Sequence, residues 1–211
     1  MFQTDGFTPN NFGSFYRGNP DLNPEKSFGW EIGVEQTLWG ERLDFGVTYF
    51  KSDIDDLMQV VFDPSFNSTY VNIDKADIQG AEAFIHTQVL KSLAVRLDYT
   101  YTDAEDESSG EQLLRRPKHK LDLDVEYRPT ARMGINLALN YVSDYKDISR
   151  ETAATINGDD YAVWDITAEY QFNKRWRAFG RVENVADEHY EPADGFQAPD
   201  RGMFAGAEFR L

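Results

Sequence analysis

The stretch KLDLDVEYR, residues 120–128, alternates between apolar and charged residues without a break. Successive side chains of a β-strand point to opposite faces of its sheet. Leu121, Leu123, Val125 and Tyr127 therefore share one face, and the charged residues share the other. The pattern predicts a strand with one apolar and one charged face.

The same alternation recurs along the whole chain. It predicts about nine strands and no helix. The predicted strands lie at residues 30–38, 43–62, 80–86, 93–102, 120–128, 132–144, 164–172, 175–183 and 202–211. We expect the second of them to continue beyond any membrane, through Val60 and Phe62.

The predicted connections alternate in length. Reversals near Trp39, Leu90, Pro129 and Asn173 are short. Those near residues 64, 103–118, 146–160 and 184–201 are mostly long, and residues 1–26, rich in Gly, Asn, Pro and aromatics, read as a further long loop. Short turns at one end and long loops at the other are typical of outer-membrane barrels.

The charged face has two possible environments. In a membrane barrel it lines the interior, because a lipid-facing basic residue costs about 2–4 kcal/mol near the bilayer midplane. In a soluble sandwich it is simply the solvated face. Aromatic residues near the ends of the apolar face, such as Trp164, Phe172 and Trp176, favour the barrel, since aromatic belts lie at membrane interfaces.

Composition excludes several other classes. The 211 residues contain no cysteine, which rules out disulfide scaffolds and thiolate sites. The formal net charge of -16 argues against nucleic acid as a partner, because phosphate backbones need a basic surface. No window approaches about 18 consecutive apolar residues, and the first residues lack the pattern of a signal peptide.

Candidate chemical sites are few. His86, His119 and His189 have no spacing that suggests catalysis or metal binding, although His86 could line the interior. Asp122 and Asp124 share a face, as acids in most barrels do. We therefore predict no catalytic, cofactor or metal site, and a chain that is not an enzyme.

Two loop segments offer weaker alternatives. The acidic run 103–107 could bind calcium, but it lacks a turn glycine and a defined ligand spacing, so a solvated loop is preferred. Aromatic side chains of the first loop could hold an apolar or metal-chelate ligand, although ordinary loop packing is the preferred explanation. They are Phe2, Phe7, Phe12, Phe15 and Tyr16.

Several motifs, taken in order, resemble the C-terminal part of a TonB-dependent outer-membrane receptor. They are NPDLNPEKS (19–27), IQGAE (78–82), LLRRP (113–117) and NVADEHY (184–190). At the end of the chain Gly206, Phe209 and Leu211 resemble the signal that the barrel assembly machinery recognises, although an aromatic last residue is more usual. The basic pair of the third motif could form salt bridges at the strand ends or bind lipopolysaccharide phosphate.

The resemblance implies an all-β fold: an antiparallel transmembrane barrel of which this chain supplies about the last nine of 22 strands, with the plug absent. Residues 1–26 would be an extracellular loop and residues 27–211 strands and loops. An odd set of about nine strands cannot close a bacterial single-chain barrel. It would leave two open edges, which hydrocarbon does not tolerate, so the fragment is not expected to transport alone.

The implied function is active import of an iron-siderophore or cobalamin-like ligand across the outer membrane of a Gram-negative bacterium. The implied partners are outer-membrane lipid and lipopolysaccharide, the assembly machinery, a small metal-chelate ligand, and the TonB system through the missing plug. A passive porin-like barrel and a soluble acidic β-sandwich binding module remain the alternatives.

Overall fold

The computed structural model describes residues 7–9, 15–63, 65 and 67–210. Nine long strands and four short ones account for its regular structure. They are β1 (Phe7–Pro9), β2 (Phe15–Arg17), β3 (Lys26–Leu38), β4 (Leu43–Phe62), β5 (Ser68–Leu90), β6 (Leu93–Asp106), β7 (His119–Thr130), β8 (Met133–Ser143), β9 (Lys146–Ile148), β10 (Thr155–Asn157), β11 (Tyr161–Gln171), β12 (Trp176–Glu183) and β13 (Gly202–Phe209).

The nine long strands form one antiparallel meander in which sequential strands are neighbours. β1 and β2 form a small hairpin beside the start of β5, and β9 and β10 form a separate hairpin. Within the described residues β3 and β13 each pair on one side only, so they are the two edges of the nine-strand meander. No described helix is long and apolar enough to cross a membrane.

The predicted set of nine long strands is confirmed. The bounds of the strands beside the first two long connections need correction. β5 begins at Ser68, twelve residues before the predicted start at residue 80. The connection near residue 64 is shorter than predicted: β4 and β5 run for 20 and 23 residues and meet in a tight hairpin. Residues 103–106 likewise belong to β6, where they pair with β5. A membrane-crossing strand needs only about 9–11 residues, so β4 and β5 project well past such a span.

The register separates the two faces as predicted. Leu123 lies between Leu97 and Leu139 on one face, whereas Asp122 lies between Asp98 and Asn140 on the other. The apolar face is uncovered: Ile32 and Val34 are 68% and 64% exposed.

The buried side chains gather at one end of the sheet, which we call the loop end. Ala76, Ala104 and Leu113 form a small core there, and Val142 and Tyr145 are buried nearby. Along the rest of the sheet the described strands form a single layer. A soluble sandwich would instead cover one face with a second sheet, so this layer needs another medium to cover its apolar side.

Aromatic rings on the polar face lie over glycines of the neighbouring strand. A Cβ at Gly46 would come within 2.6 Å of the Phe84 ring, and a Cβ at Gly206 within 2.5 Å of the Phe179 ring. Glycine is required at both positions because any larger residue would displace the ring.

Candidate functional site

The polar face contains an acidic groove of about 420 Å³ near its centre. Four carboxylates and one guanidinium are its charged lining residues: Asp98, Asp122, Asp124, Asp165 and Arg96. Because strands β6, β7, β8 and β11 are adjacent, side chains at the same height converge on the groove. The negative charges outnumber the positive one, so the groove attracts cationic groups.

Neutral side chains hold several of these carboxylates in place. Asn140 Nδ2 donates to Asp122 and Asn136 Nδ2 donates to Asp124, both at 2.7 Å. His86 Nε2 lies 3.1 Å from Asp98. The two amides fix the orientation of Asp122 and Asp124 without adding charge, and Asp122 also lies 3.7 Å from the Lys120 ammonium.

Nearer the short turns the polar face carries a chain of ion pairs, which we call the charge ladder. Its members are Glu126, Arg128, Glu169, Arg177, Glu208 and Arg210. Arg177 bridges Glu169 and Glu208 at 2.9 and 2.8 Å. Arg128 reaches across β8 to Glu169 at 3.4 Å, because β8 offers only Gly134 there, and a Cβ on Gly134 would lie 3.1 Å from the Glu169 carboxylate. Unlike the groove, the ladder alternates acids and bases.

At the loop end Asp147 joins three connecting segments. Its side chain, almost fully buried, accepts hydrogen bonds from Arg115 Nε at 2.7 Å, from the Ile148 amide at 2.8 Å and from the Asp194 amide at 2.7 Å. The Tyr145 hydroxyl donates to the carbonyl of Glu191 at 3.1 Å. The segments before β7, after β8 and after β12 are therefore fastened together.

Burial perturbs both of these groups. It raises the pKa of Tyr145 to about 12, so the phenol stays protonated and remains a donor. Burial also acts to raise the pKa of Asp147. The hydrogen bonds from the Asp194 and Ile148 amides and the ion pair with Arg115 outweigh it, and the pKa lies below its ordinary value. The carboxylate is thus ionised wherever the loops are folded at neutral pH.

The motif at residues 184–190 folds the last long loop back on itself. Asn184, which is buried, donates to the carbonyls of Glu188 at 2.8 Å and Pro199 at 3.3 Å, and it accepts from the Glu188 amide at 2.8 Å. The backbone amide of Asn184 donates a hydrogen bond to the Asp165 carboxylate. One side chain therefore satisfies backbone groups that the irregular loop leaves unpaired.

The motif at residues 19–27 fastens the chain to the projecting part of β4 and β5. Asn19 donates to the Tyr70 carbonyl at 2.9 Å, and Glu25 accepts from the Met58 amide at 2.6 Å. Asn23 and Asn72 exchange two hydrogen bonds. The polar residues of this motif thus act as backbone partners.

The structure separates the three histidines. His86 lies on the polar face, His119 contacts Tyr99 at the loop end of β7, and His189 lies exposed in the last loop. They form no common cluster. His86 beside the acidic groove agrees with a residue of the interior wall.

The acidic run and its neighbours form ion pairs. Asp103 pairs with Lys118 at 3.3 Å, and Asp106 caps the turn at Ser108. Carboxylates of Asp53, Asp77 and Glu107 also converge. The Lys51 ammonium pairs with two of them, Asp53 and Asp77, and so compensates part of their charge.

Two groups of predicted residues lie largely or partly outside the described part of the chain. Of the aromatic side chains in the first loop only Tyr16 is described, and it packs edge-on against Tyr70 at 6.0 Å. Of the assembly signal, Gly206 lies beneath Phe179 and Phe209 packs against Trp176 at 4.9 Å. Leu211 lies outside the described residues.

Sequence reasoning missed Asp147 and Tyr145. Neither stands in a motif, and both act through contacts with residues more than 30 positions away. It did propose salt bridges at the strand ends for the basic pair 115–116, and Arg115 forms one. The sequence marked Asp147 only by its place in the predicted long loop 146–160.

Comparison with known proteins decides the family. A family model described as TonB dependent receptor-like, beta-barrel, matches residues 2–185. The chain belongs to this family. It is 31% identical over 216 residues to the Vitamin B12 transporter BtuB of Photobacterium profundum, covering 98% of this chain and 34% of that protein. It is 29% identical to the BtuB of Vibrio vulnificus, with the same coverage.

Solved structures agree on the fold. The pyoverdine outer membrane receptor FpvA of Pseudomonas aeruginosa PAO1 superposes with a TM-score of 0.75 at 21% identity, over 97% of this chain and 32% of that one. The copper transporter OprC gives 0.74 at 15% identity, over 90% and 32%. The chain thus spans about a third of the length of the relatives it matches.

Membership in this family assigns the two faces. In a transmembrane barrel the apolar face contacts lipid and the polar face lines the interior. TonB-dependent receptors are outer-membrane proteins of Gram-negative bacteria, so the chain is located there. The relatives are receptors and transporters, in agreement with the prediction that the chain is not an enzyme.

Proposed function

We propose that this chain forms the C-terminal barrel wall of a TonB-dependent transporter that imports a cobalamin-like ligand, with an iron-siderophore as the second candidate. The observation that carries the proposal is the single-layer sheet: its apolar face is uncovered, its polar face is charged, and its loop end is fastened into a platform. The cobalamin-like ligand ranks first because the B12 transporter of P. profundum matches nearly the whole chain at 31% identity.

Each part of the wall has a role in this proposal. The loop end faces outward and presents a surface to the ligand. Asp147 and Asn184 hold the loops of that surface in place. The acidic groove faces the interior, where cationic groups of a plug domain would neutralise it. The charge ladder, already paired, keeps the wall rigid nearer the periplasm. Energy from the TonB system would act on the plug.

The decisive experiment measures uptake by the complete receptor that contains this chain. The receptor is expressed in a Gram-negative strain that lacks its own B12 receptor, and entry of labelled cyanocobalamin is followed. We expect uptake above the empty-vector level that disappears in a strain without TonB. Uptake of a ferric siderophore in the same cells would favour the second candidate.

The contrary outcomes are equally clear. Entry of small solutes that is independent of TonB and shows no saturation would identify a passive pore.

A point variant is preferable to a loop deletion for locating the ligand, because removing residues 146–160 would also remove Asp147 and release the neighbouring segments.

A further inference from the structure

The short turns opposite the loop end carry an excess of basic residues. Segments 39–42, 91–92, 131–132 and 172–175 contain five basic residues and one acidic residue. The basic residues are Arg42, Lys91, Arg132, Lys174 and Arg175, and all five are exposed. The four loop-end connections at 63–67, 107–118, 144–160 and 184–201 contain thirteen acidic and six basic residues. The two ends of the sheet therefore have opposite charge.

The turn cations are available for a partner. Within the described part of the chain none of the five forms a salt bridge, whereas the arginines of the neighbouring charge ladder all do. Unpaired exposed guanidinium and ammonium groups are free to bind phosphate oxygens.

Exposed aromatic residues lie in or beside two of these turns, 39–42 and 172–175. Trp39 is 74% exposed, Phe172 56% and Trp176 48%. Trp176 and Phe209 pack together at 4.9 Å between ring centroids, as do Tyr170 and Phe172. Aromatic rings at the level of lipid headgroups mark where the hydrocarbon ends. Arg42, Lys174 and Arg175 lie in the turns that these rings mark, so we expect them at the depth of lipid phosphates.

We propose that the short-turn end binds the phosphates of anionic glycerophospholipids through these five cations. The loop end also carries exposed cations, but acidic residues outnumber them there, so the charge difference also orients the wall in an asymmetric membrane. The inference concerns the lipid that surrounds the receptor and does not depend on which ligand the receptor imports.

The test compares two quadruple variants of the complete receptor. The turn variant carries R42Q, K91Q, R132Q and K174Q. The control carries R17Q, K26Q, K75Q and R116Q. It also removes two arginines and two lysines, but from exposed positions at the loop end. Binding of phosphatidylglycerol to detergent-solubilised protein is titrated by native mass spectrometry.

Basic residues near an anionic lipid headgroup strengthen its binding, so we expect the turn variant to bind phosphatidylglycerol at least about tenfold more weakly. The control should stay within about twofold of the unmodified receptor. Equal losses in both variants, or no loss in the turn variant, would overturn the proposal. So would full displacement of the lipid by free glycerol phosphate, or lipid A adducts that depend on the turns. Cyanocobalamin uptake by the same variants tests the proposed transport separately from lipid binding.

Discussion

Replacing Asp147 by alanine should release the contact between two loops. The carboxylate is 1% exposed and accepts hydrogen bonds from Arg115, from its neighbour Ile148 and from the Asp194 amide 47 residues away. Alanine leaves all three donors without their acceptor. The Asp194 amide loses its tie to the segment after β8.

The cost follows from burial. Removing one partner of a buried ion pair costs about 3–5 kcal/mol. The Arg115 side chain is 53% exposed and can bind water once released, so the lower end, about 3 kcal/mol, applies. At about 1.4 kcal/mol per factor of ten, the two loops should separate on the order of 100-fold more often.

Hydrogen exchange at the Asp194 amide measures this opening directly, on the complete receptor in detergent. The matched control is Asp159→Ala, which lines the same small cavity but accepts one longer bond, from the Glu191 amide at 3.3 Å. Exchange at Asp194 should accelerate about 100-fold in the first variant and by less than about threefold in the control. Unchanged protection in Asp147→Ala would show that the loops are held by other contacts and would refute the reasoning.

Three further predictions concern pH and the two faces. Folding lowers the pKa of Asp147. The stabilisation by this carboxylate is therefore complete above its ordinary pKa of about 3.9 and is lost as the pH falls through its pKa in the folded protein. Hydrogen exchange at the Asp194 amide should consequently rise only below about pH 4. Leu123→Arg places a cation on the lipid face and should cost about 2–4 kcal/mol in urea unfolding from vesicles, whereas Ala138→Arg, beside the acidic groove, should cost less than about 1 kcal/mol. Gly206→Val must displace the Phe179 ring and should destabilise by about 1–3 kcal/mol in the same assay, and a loss below about 0.5 kcal/mol would contradict that packing.

The sheet was predictable where the membrane imposes a pattern on it. Between Lys120 and Arg128 a slip of one residue would expose charges to hydrocarbon, so the alternation is strict and the strand is easily found. Beyond the membrane no such penalty acts. The first part of β5, from Ser68 to Gln79, mixes polar and apolar residues on both faces, and for that reason its early start was missed.

The loop end was not predictable in the same way. Its chemistry depends on which distant segments meet, and a single sequence contains no periodic signal for the approach of Arg115, Asp147 and Asp194. The motifs at 19–27 and 184–190 could be recognised, yet their roles became clear only from partners such as Asn72 and Pro199. Hydrogen bonds to irregular backbone need coordinates before they can be assigned.

The distribution of paired and unpaired charge explains how one wall can be both rigid and able to bind partners. Near the turns the ladder from Glu126 to Arg210 neutralises itself, so a passing ion gains little there. In the groove, amides orient Asp122 and Asp124. Asp122 also lies 3.7 Å from the Lys120 ammonium, whereas Asp124 forms no salt bridge within the described residues. A carboxylate that is oriented but not neutralised loses little conformational entropy when a cation arrives.

Replacing Asn136 and Asn140 by lysine should therefore remove most of the net negative charge of the groove while preserving the sheet, because each new ammonium lies beside the carboxylate that the amide now contacts. In the complete receptor, we expect this change to weaken retention of the plug, measured as its release from the barrel in increasing urea. The hydrogen bonds of Asp147 should stay intact, since their donors, Arg115, Ile148 and Asp194, are not lining residues of the groove. A plug held as firmly as before would exclude the groove as its docking surface.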